Sequence, residues 1–131
     1  MEVTKKQFTF KGKTIEELKN LDVREFSKLL KSKDRRCVLR NFQEIEKFVS
    51  RAKTKLDKKK IIKTHKRNLI IVPDMVGMKI QIHKGNGYTQ TEIIGEMLGH
   101  KLGEFAPTRN KVKHGKVGVG ATKGSKSKSK K

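Results

Sequence analysis

Four histidines and one cysteine are the side chains best suited to metal or nucleophilic chemistry. A zinc peptidase needs two histidines four residues apart around a glutamate, and structural zinc sites are usually built on paired cysteines. Neither pattern occurs, because the histidines lie far apart in the sequence and Cys37 stands alone. We therefore expect no metal ion, no cofactor and no internal disulfide, with Cys37 a buried and unreactive thiol. The histidines are His65, His83, His100 and His114.

Motifs for phosphate or dinucleotide binding are incomplete. Gly115 and Gly120 have the spacing of a phosphate loop, but Ala121 and Thr122 stand where its lysine and hydroxyl residue must reach phosphate and magnesium. The glycines near position 85 lack the third glycine of a dinucleotide fingerprint. The four acids between residues 74 and 104 suggest no pair for acid–base work. The sequence therefore predicts that the chain is not an enzyme.

Cationic residues beside glycines are the feature that remains. In His83-Lys84-Gly85-Asn86-Gly87 the glycines of a predicted hairpin turn let backbone N–H groups approach a phosphate, although a solvated loop is the simpler alternative. In the segment 100–109, Leu102 and Phe105 can anchor the chain while Lys101 and Arg109 project. With six Phe, one Tyr and no Trp, a stacking platform for single strands is disfavoured. Folded RNA contacted through its backbone fits better.

The net charge makes a polyanion the expected partner. The chain of 131 residues has 34 basic and 13 acidic side chains, a formal charge of +21, and only 33% hydrophobic residues. Residues 1–57 have a net charge of +7 and residues 58–131 one of +14. No acid follows Glu104, and the segment after it is rich in lysine, glycine and serine. We therefore divide the chain into an N-terminal extension with helices (1–57), a basic linker with a small sheet and RNA-binding core (58–106), and a disordered basic tail (107–131).

Helix signals dominate the first half of the chain. Thr14 with Glu17 forms a capping box, and Asp22 with Glu25 repeats that spacing. Asn41 is expected to cap a longer helix, whose apolar positions recur at helical spacing and predict a core-facing stripe. That stripe consists of Phe42, Ile45, Phe48, Val49, Ala52 and Leu56.

The second half switches to extended signals. Leu69 to Val72 is a β-branched run that ends at Pro73, Lys79 to His83 alternates, and a glycine turn precedes Tyr88 to Ile94. A short helical turn is plausible around Met97 and Leu98. These signals predict an α+β fold, with a small antiparallel three-stranded sheet packed with helices and an extended basic C-terminal tail.

From residue 62 onward the sequence resembles the small-subunit ribosomal proteins of the S-nineteen family, called S-fifteen in eukaryotes. Four motifs in the family's order carry the resemblance, and the segments 8–13, 112–115 and 118–122 resemble its archaeal and eukaryotic branch. After Thr122 the chain departs from that branch, because it continues with lysine, glycine and serine. The four motifs are Ile62-Lys63-Thr64-His65-Lys66-Arg67, Ile70-Ile71-Val72-Pro73-Asp74-Met75-Val76-Gly77, Ile82-His83-Lys84-Gly85, and Glu96 to Arg109.

The resemblance implies a structural protein in the head of the small ribosomal subunit. Its implied partners are the small-subunit ribosomal RNA, a neighbouring head protein of the S-thirteen family and, through the tail, transfer RNA near the decoding region. No membrane partner is expected, because no apolar run is long enough to span a bilayer, and the expected location is the ribosome in the cytoplasm. The predicted RNA-binding residues are Lys63, Thr64, His65, Lys66, Arg67, His83, Lys84, Gly85, Lys101, Arg109, Lys111, Lys113 and His114.

Two other classes stay open on the residues alone. An enzyme acting on RNA would need a titratable constellation that the motifs do not supply. A DNA-compacting protein is permitted by charge and would prefer duplex DNA to ribosomal RNA.

Overall fold

The computed structural model describes residues 8–112 and Gly118 of the chain. Within them it contains three α-helices, five short strands and three 3-10 helices, which confirms the α+β class. In chain order the elements are β1 (Thr9–Phe10), β2 (Lys13–Thr14), α1 (Ile15–Lys19), α2 (Val23–Lys28), α3 (Ser32–Asp57), β3 (Ile62–Thr64), a 3-10 helix (Pro73–Met75), β4 (Lys79–His83), β5 (Tyr88–Glu92), and two further 3-10 helices (Gly95–Met97 and Leu102–Phe105). The turn expected around Met97 is the second of these 3-10 helices.

The capping box that opens α1 is present as predicted. The Glu17 N–H donates to Thr14 Oγ1 at 3.4 Å, and the Thr14 N–H donates to Glu17 Oε2 at 3.1 Å. Two N–H groups of the first turn, which have no partner inside the helix, are thereby satisfied. Asp22 precedes α2 as expected, but its side chain makes no capping hydrogen bond.

Helix α3 begins earlier than predicted, at Ser32 instead of Asn41. Asn41 lies at a kink that joins two helical segments, and its backbone there is non-helical (φ −111°, ψ 16°). The N-cap of α3 as a whole is Lys31, so Asn41 marks the start of the second segment and not of the helix. Its Nδ2 contacts the Sγ of Cys37 at 3.6 Å, and Cys37 is half-buried. Buried Val38 extends the apolar stripe upstream of the kink, so burial maintains a helix there despite the weak local signal.

The predicted stripe of α3 is only partly buried. Ile45, Val49 and Ala52 are in the core, whereas Phe42 and Phe48 are half-buried and Leu56 is 49% exposed. The guanidinium of Arg24 lies 4.1 Å from the centre of the Phe42 ring. The ring is thus held against α2 by a cation–π contact.

The three-stranded sheet is mixed and uses a different first strand from the predicted one. Strand β4 pairs antiparallel with β5 as expected, but its other neighbour is β3, which runs parallel to it. The expected strand Leu69–Val72 is instead a buried extended segment with one isolated bridge, between Ile70 and Lys101. Its amides and carbonyls bond to the 99–102 loop, including Ile71 N–H to the His100 carbonyl at 2.9 Å. A continuous run of apolar residues is typical of a segment that is buried on all sides. Here that burial does not come from pairing with a neighbouring strand of the sheet.

One hydrophobic core joins the helices to the sheet. Leu18 and Phe26 from the short helices belong to the same buried cluster as Ile80 and Ile82 of β4. Lys53 of α3 also pairs with Asp74 of the first 3-10 helix, at 2.9 Å. The division of the chain at residues 57 and 106 stays a prediction.

Candidate nucleic-acid interface

Arg67 connects three segments that are far apart in the sequence. Its guanidinium is half-buried and donates to the carbonyl oxygens of His83, Gly103 and Ala106, the last two at 2.8 and 2.7 Å. The loop after β3, the β4–β5 hairpin and the third 3-10 helix therefore meet at one side chain. Arg67 uses at least three of its five N–H donors in this way, so its expected phosphate contact stays a prediction beside a clear structural role.

Three rings that the sequence separates lie in contact on one face of the sheet. The imidazoles of His65 and His83 are stacked, with centroids 4.2 Å apart and planes inclined by 30°. Tyr88 meets both edge-on, at 5.5 and 5.2 Å, and its hydroxyl is 2.7 Å from His65 Nε2. We call His65, His83 and Tyr88 the ring cluster.

Strand register explains why the ring cluster forms. His83 and Tyr88 are direct cross-strand partners in β4 and β5. Strand β3 pairs Lys63 with Gln81 of β4, so His65, two residues beyond Lys63, emerges on the same face beside His83. The Nζ of Lys63 lies 5.2 Å from the Tyr88 ring centre, which adds a cation to the cluster.

The hairpin next to the ring cluster presents Lys84 and Gly85. Gly85 has a φ of +104°, a conformation that L side chains rarely adopt, and its N–H faces His83 Nδ1 at 3.3 Å. The Lys84 N–H closes the turn by donating to the Gly87 carbonyl at 2.8 Å. The amide of Gly85 thus has an internal partner, and its expected approach to phosphate is not tested by this geometry.

A basic groove of about 400 Å³ runs between α3 and β3. On the helix side, Lys47, Arg51 and Lys55 recur every four residues and so lie along one face of α3. Lys63 and Lys66 line the opposite side together with Thr64 and His65. One acid, Glu44, also lines the groove, and it pairs with Lys66 at 3.2 Å. Cations on both walls suit a phosphate backbone.

Two of the predicted contact residues have structural contacts within the protein. Thr64 is only 6% exposed, and its Oγ1 accepts the Lys66 N–H at 3.1 Å, which orients the loop. Lys101 is half-buried and bridges to Ile70 through its backbone. Beside it, Glu104 Oε2 lies 2.8 Å from His100 Nδ1. Among the predicted residues, Lys63, His65 and Lys66 are exposed and line the groove.

The remaining predicted residues follow the third 3-10 helix. Arg109 and Lys111 are exposed on a segment that is neither helix nor strand. Lys113, His114 and most of the predicted tail lie outside the described residues.

The helix wall of the groove and the ring cluster were not predicted from the sequence. The four-residue spacing of Lys47, Arg51 and Lys55 was a usable signal for a single cationic helix face. For the rings, the hairpin pairing of His83 with Tyr88 was also inferable, whereas the position of His65 required β3 to be identified as a strand.

Within residues 8–112 and Gly118, no three His, Cys, Asp or Glu side chains are grouped so that they could hold a metal ion. The same part of the chain contains no helix that is both long and apolar enough to cross a bilayer.

Comparisons with known proteins point to one family. Residues 31–114 match the family model described as ribosomal protein S19. The small ribosomal subunit protein uS19 of Methanococcoides burtonii is 42% identical over 122 residues, which cover 93% of this chain and 88% of that protein. The protein of the same name from Methanocella arvoryzae is 46% identical over 123 residues, covering 93% and 86%.

Proposed function

Because the chain belongs to the ribosomal protein S19 family, we propose that it is a structural component of the small ribosomal subunit that binds ribosomal RNA through its phosphate backbone. The observation that carries the RNA-binding part is the basic groove between α3 and β3. Membership of this family agrees with the expectation that the chain is not an enzyme.

The groove supports phosphate binding through its arrangement of charge. Lys47, Arg51 and Lys55 form one wall, and Lys63 and Lys66 form the other. Glu44 neutralises only part of this charge, so the groove keeps a net positive field. Long cationic side chains on both walls can reach the phosphates of one strand without reading its sequence. Lys84, Lys101, Arg109 and Lys111 extend the same chemistry beyond the groove.

Finer features of the proposal rest on the family resemblance. They are a place in the head of the small subunit, a neighbour of the S-thirteen family and a tail that reaches toward transfer RNA. The charge of the tail supports the last of these, because no acid follows Glu104 while nine lysines or arginines do. The ribosome in the cytoplasm is the location that such an assembly requires.

The test of the proposed function is retention on the particle. Small subunits from cells that make the full chain are washed with increasing salt and analysed by mass spectrometry. The chain should remain at the level of the other structural proteins through washes that strip loosely bound cationic proteins. Release at low salt, or stronger binding to duplex DNA than to small-subunit RNA in competition, would contradict the proposal and favour a DNA-compacting protein.

A further inference from the structure

We infer that the ring cluster of His65, His83 and Tyr88 is a stacking site for one unpaired RNA base. This inference rests on the proposed function and adds a base contact to binding that is otherwise made through phosphates. Its basis is the meeting of three rings on the outer face of the sheet, beside the cationic wall of the groove.

The rings are accessible although they contact each other. Tyr88 is 38% exposed and His65 is exposed, while His83 is half-buried. The His83 ring lies against one face of the His65 imidazole, with centroids 4.2 Å apart, and the Tyr88 ring meets His65 at 82°, so the opposite face of His65 is the one a base would stack on. Exposed ring faces on a protein surface are what a nucleobase stacks on, with little dependence on sequence.

The cluster is also held in position before any ligand arrives. The Tyr88 hydroxyl and His65 Nε2 are joined at 2.7 Å, and Arg67 binds the carbonyl of His83. Each contact fixes a ring or the backbone that supports it. Binding therefore loses less conformational freedom than it would on three mobile side chains.

Charge around the rings identifies nucleic acid as the occupant. Lys63 lies over Tyr88, and both Lys63 and His65 also line the groove. A strand whose phosphates follow the groove would thus deliver its next base to the ring cluster. The base has to be unpaired, because bases inside an A-form duplex are covered by their neighbours in the stack.

The chain has a built-in reporter for this site. Tyr88 is its only tyrosine and there is no tryptophan, so intrinsic tyrosine fluorescence comes from the ring cluster alone. The full chain is titrated with short oligoadenylate RNA and, separately, with an abasic oligonucleotide of the same length and charge. Binding is followed in parallel by the anisotropy of an end label. Oligoadenylate should quench the tyrosine to saturation, whereas the abasic strand should bind without quenching.

Variants separate stacking from charge. His65→Ala should weaken oligoadenylate binding roughly 5- to 150-fold, the range for losing one stacked base, and weaken abasic binding much less, because His65 also lines the groove. His65→Phe, which keeps a ring, should restore the binding of oligoadenylate. His100→Ala is the matched control, because His100 is an exposed histidine outside the ring cluster. It should change the affinity for neither ligand.

The outcomes distinguish this inference from the proposed function. Saturated oligoadenylate binding without tyrosine quenching, or equal losses for both ligands in His65→Ala, would overturn the stacking site. If a small-subunit ribosomal RNA fragment still bound tightly, the proposed function would stand. Failure of that fragment to bind would contradict the proposed function and the stacking site together.

Discussion

Arg67 and Gly103 are hydrogen-bonded to each other in both directions. The Gly103 N–H donates to the Arg67 carbonyl at 2.9 Å, and Arg67 Nη2 donates to the Gly103 carbonyl at 2.8 Å. A Cβ on residue 103 would lie 3.0 Å from both the Cβ and the carbonyl oxygen of Arg67. The pair thus joins the segment after β3 to the third 3-10 helix so closely that an added methyl group would require Arg67 to shift.

The main effect of Arg67→Ala should be a loss of folding stability. It removes a charged donor from the carbonyls of His83, Gly103 and Ala106, and we expect the free energy of unfolding to fall by about 2–4 kcal/mol. Urea unfolding measures this loss. Lys66→Ala, at the neighbouring exposed position, is the control and should cost less than about 1 kcal/mol. A wild-type midpoint for Arg67→Ala, together with a flatter salt dependence of RNA binding, would instead identify Arg67 as a phosphate contact.

Gly103→Ala should destabilise the protein by about 1–3 kcal/mol, because the new methyl group overpacks against Arg67. Gly87→Ala is a matched glycine control, since its Cβ would meet its nearest neighbour at an ordinary 3.8 Å. It should be neutral or slightly stabilising through the unfolded state. Equal melting temperatures for the two variants would show that the Arg67–Gly103 contact tolerates expansion.

Replacing Lys47, Arg51 and Lys55 together by alanine should flatten the salt dependence of RNA binding. Each lost phosphate contact lowers the slope of log K against log salt by about 0.9, so the triple variant should lose up to about 2.7. Alanine preserves helix α3, so the fold should be unaffected. Filter binding to a small-subunit RNA fragment at several salt concentrations gives the slope.

The control variant removes three positive charges outside the groove. Lys19, Lys28 and Lys33 are exposed on the three helices and do not line the groove, and their joint replacement by alanine should leave the slope nearly unchanged. Equal slopes for the two triple variants would mean that total charge, and not the groove, determines binding.

Cognate RNA should raise the thermal stability of the chain. A ligand that binds only the folded state stabilises it by about 2.7 kcal/mol when present at 100 times its dissociation constant. Scanning calorimetry with and without a small-subunit RNA fragment measures the shift. A melt that did not move under saturating RNA would contradict binding to the folded chain.

Local signals in the sequence located several elements correctly. The capping box at Thr14 and the alternating strand Lys79–His83 depend on residues within a few positions of each other, and both are present as predicted. The α+β class followed from the change of hydrophobic period between the two halves. Asn41 marks a kink between two helical segments and not the start of α3, because a first segment that buries Val38 precedes it.

Long-range arrangement accounts for the remaining differences. The run Leu69–Val72 has strand-like residues, but its backbone partners come from the 99–102 loop and not from a neighbouring strand of the sheet. Because β3 was not predicted, the sequence could not bring His65 to the His83–Tyr88 pair. The scarcity of aromatic residues then argued against stacking, whereas three rings from distant positions do assemble.

The enclosure of Leu69–Val72 also has a consequence for synthesis. During translation this apolar segment leaves the ribosome before its backbone partners, since His100 is made about 30 residues after Ile71. At ordinary elongation rates that interval is roughly 2–6 s, during which an aggregation-prone stretch is uncovered. The longest unbroken run of buried residues in the described part of the chain therefore contains the segment that stays uncovered while the protein is being made.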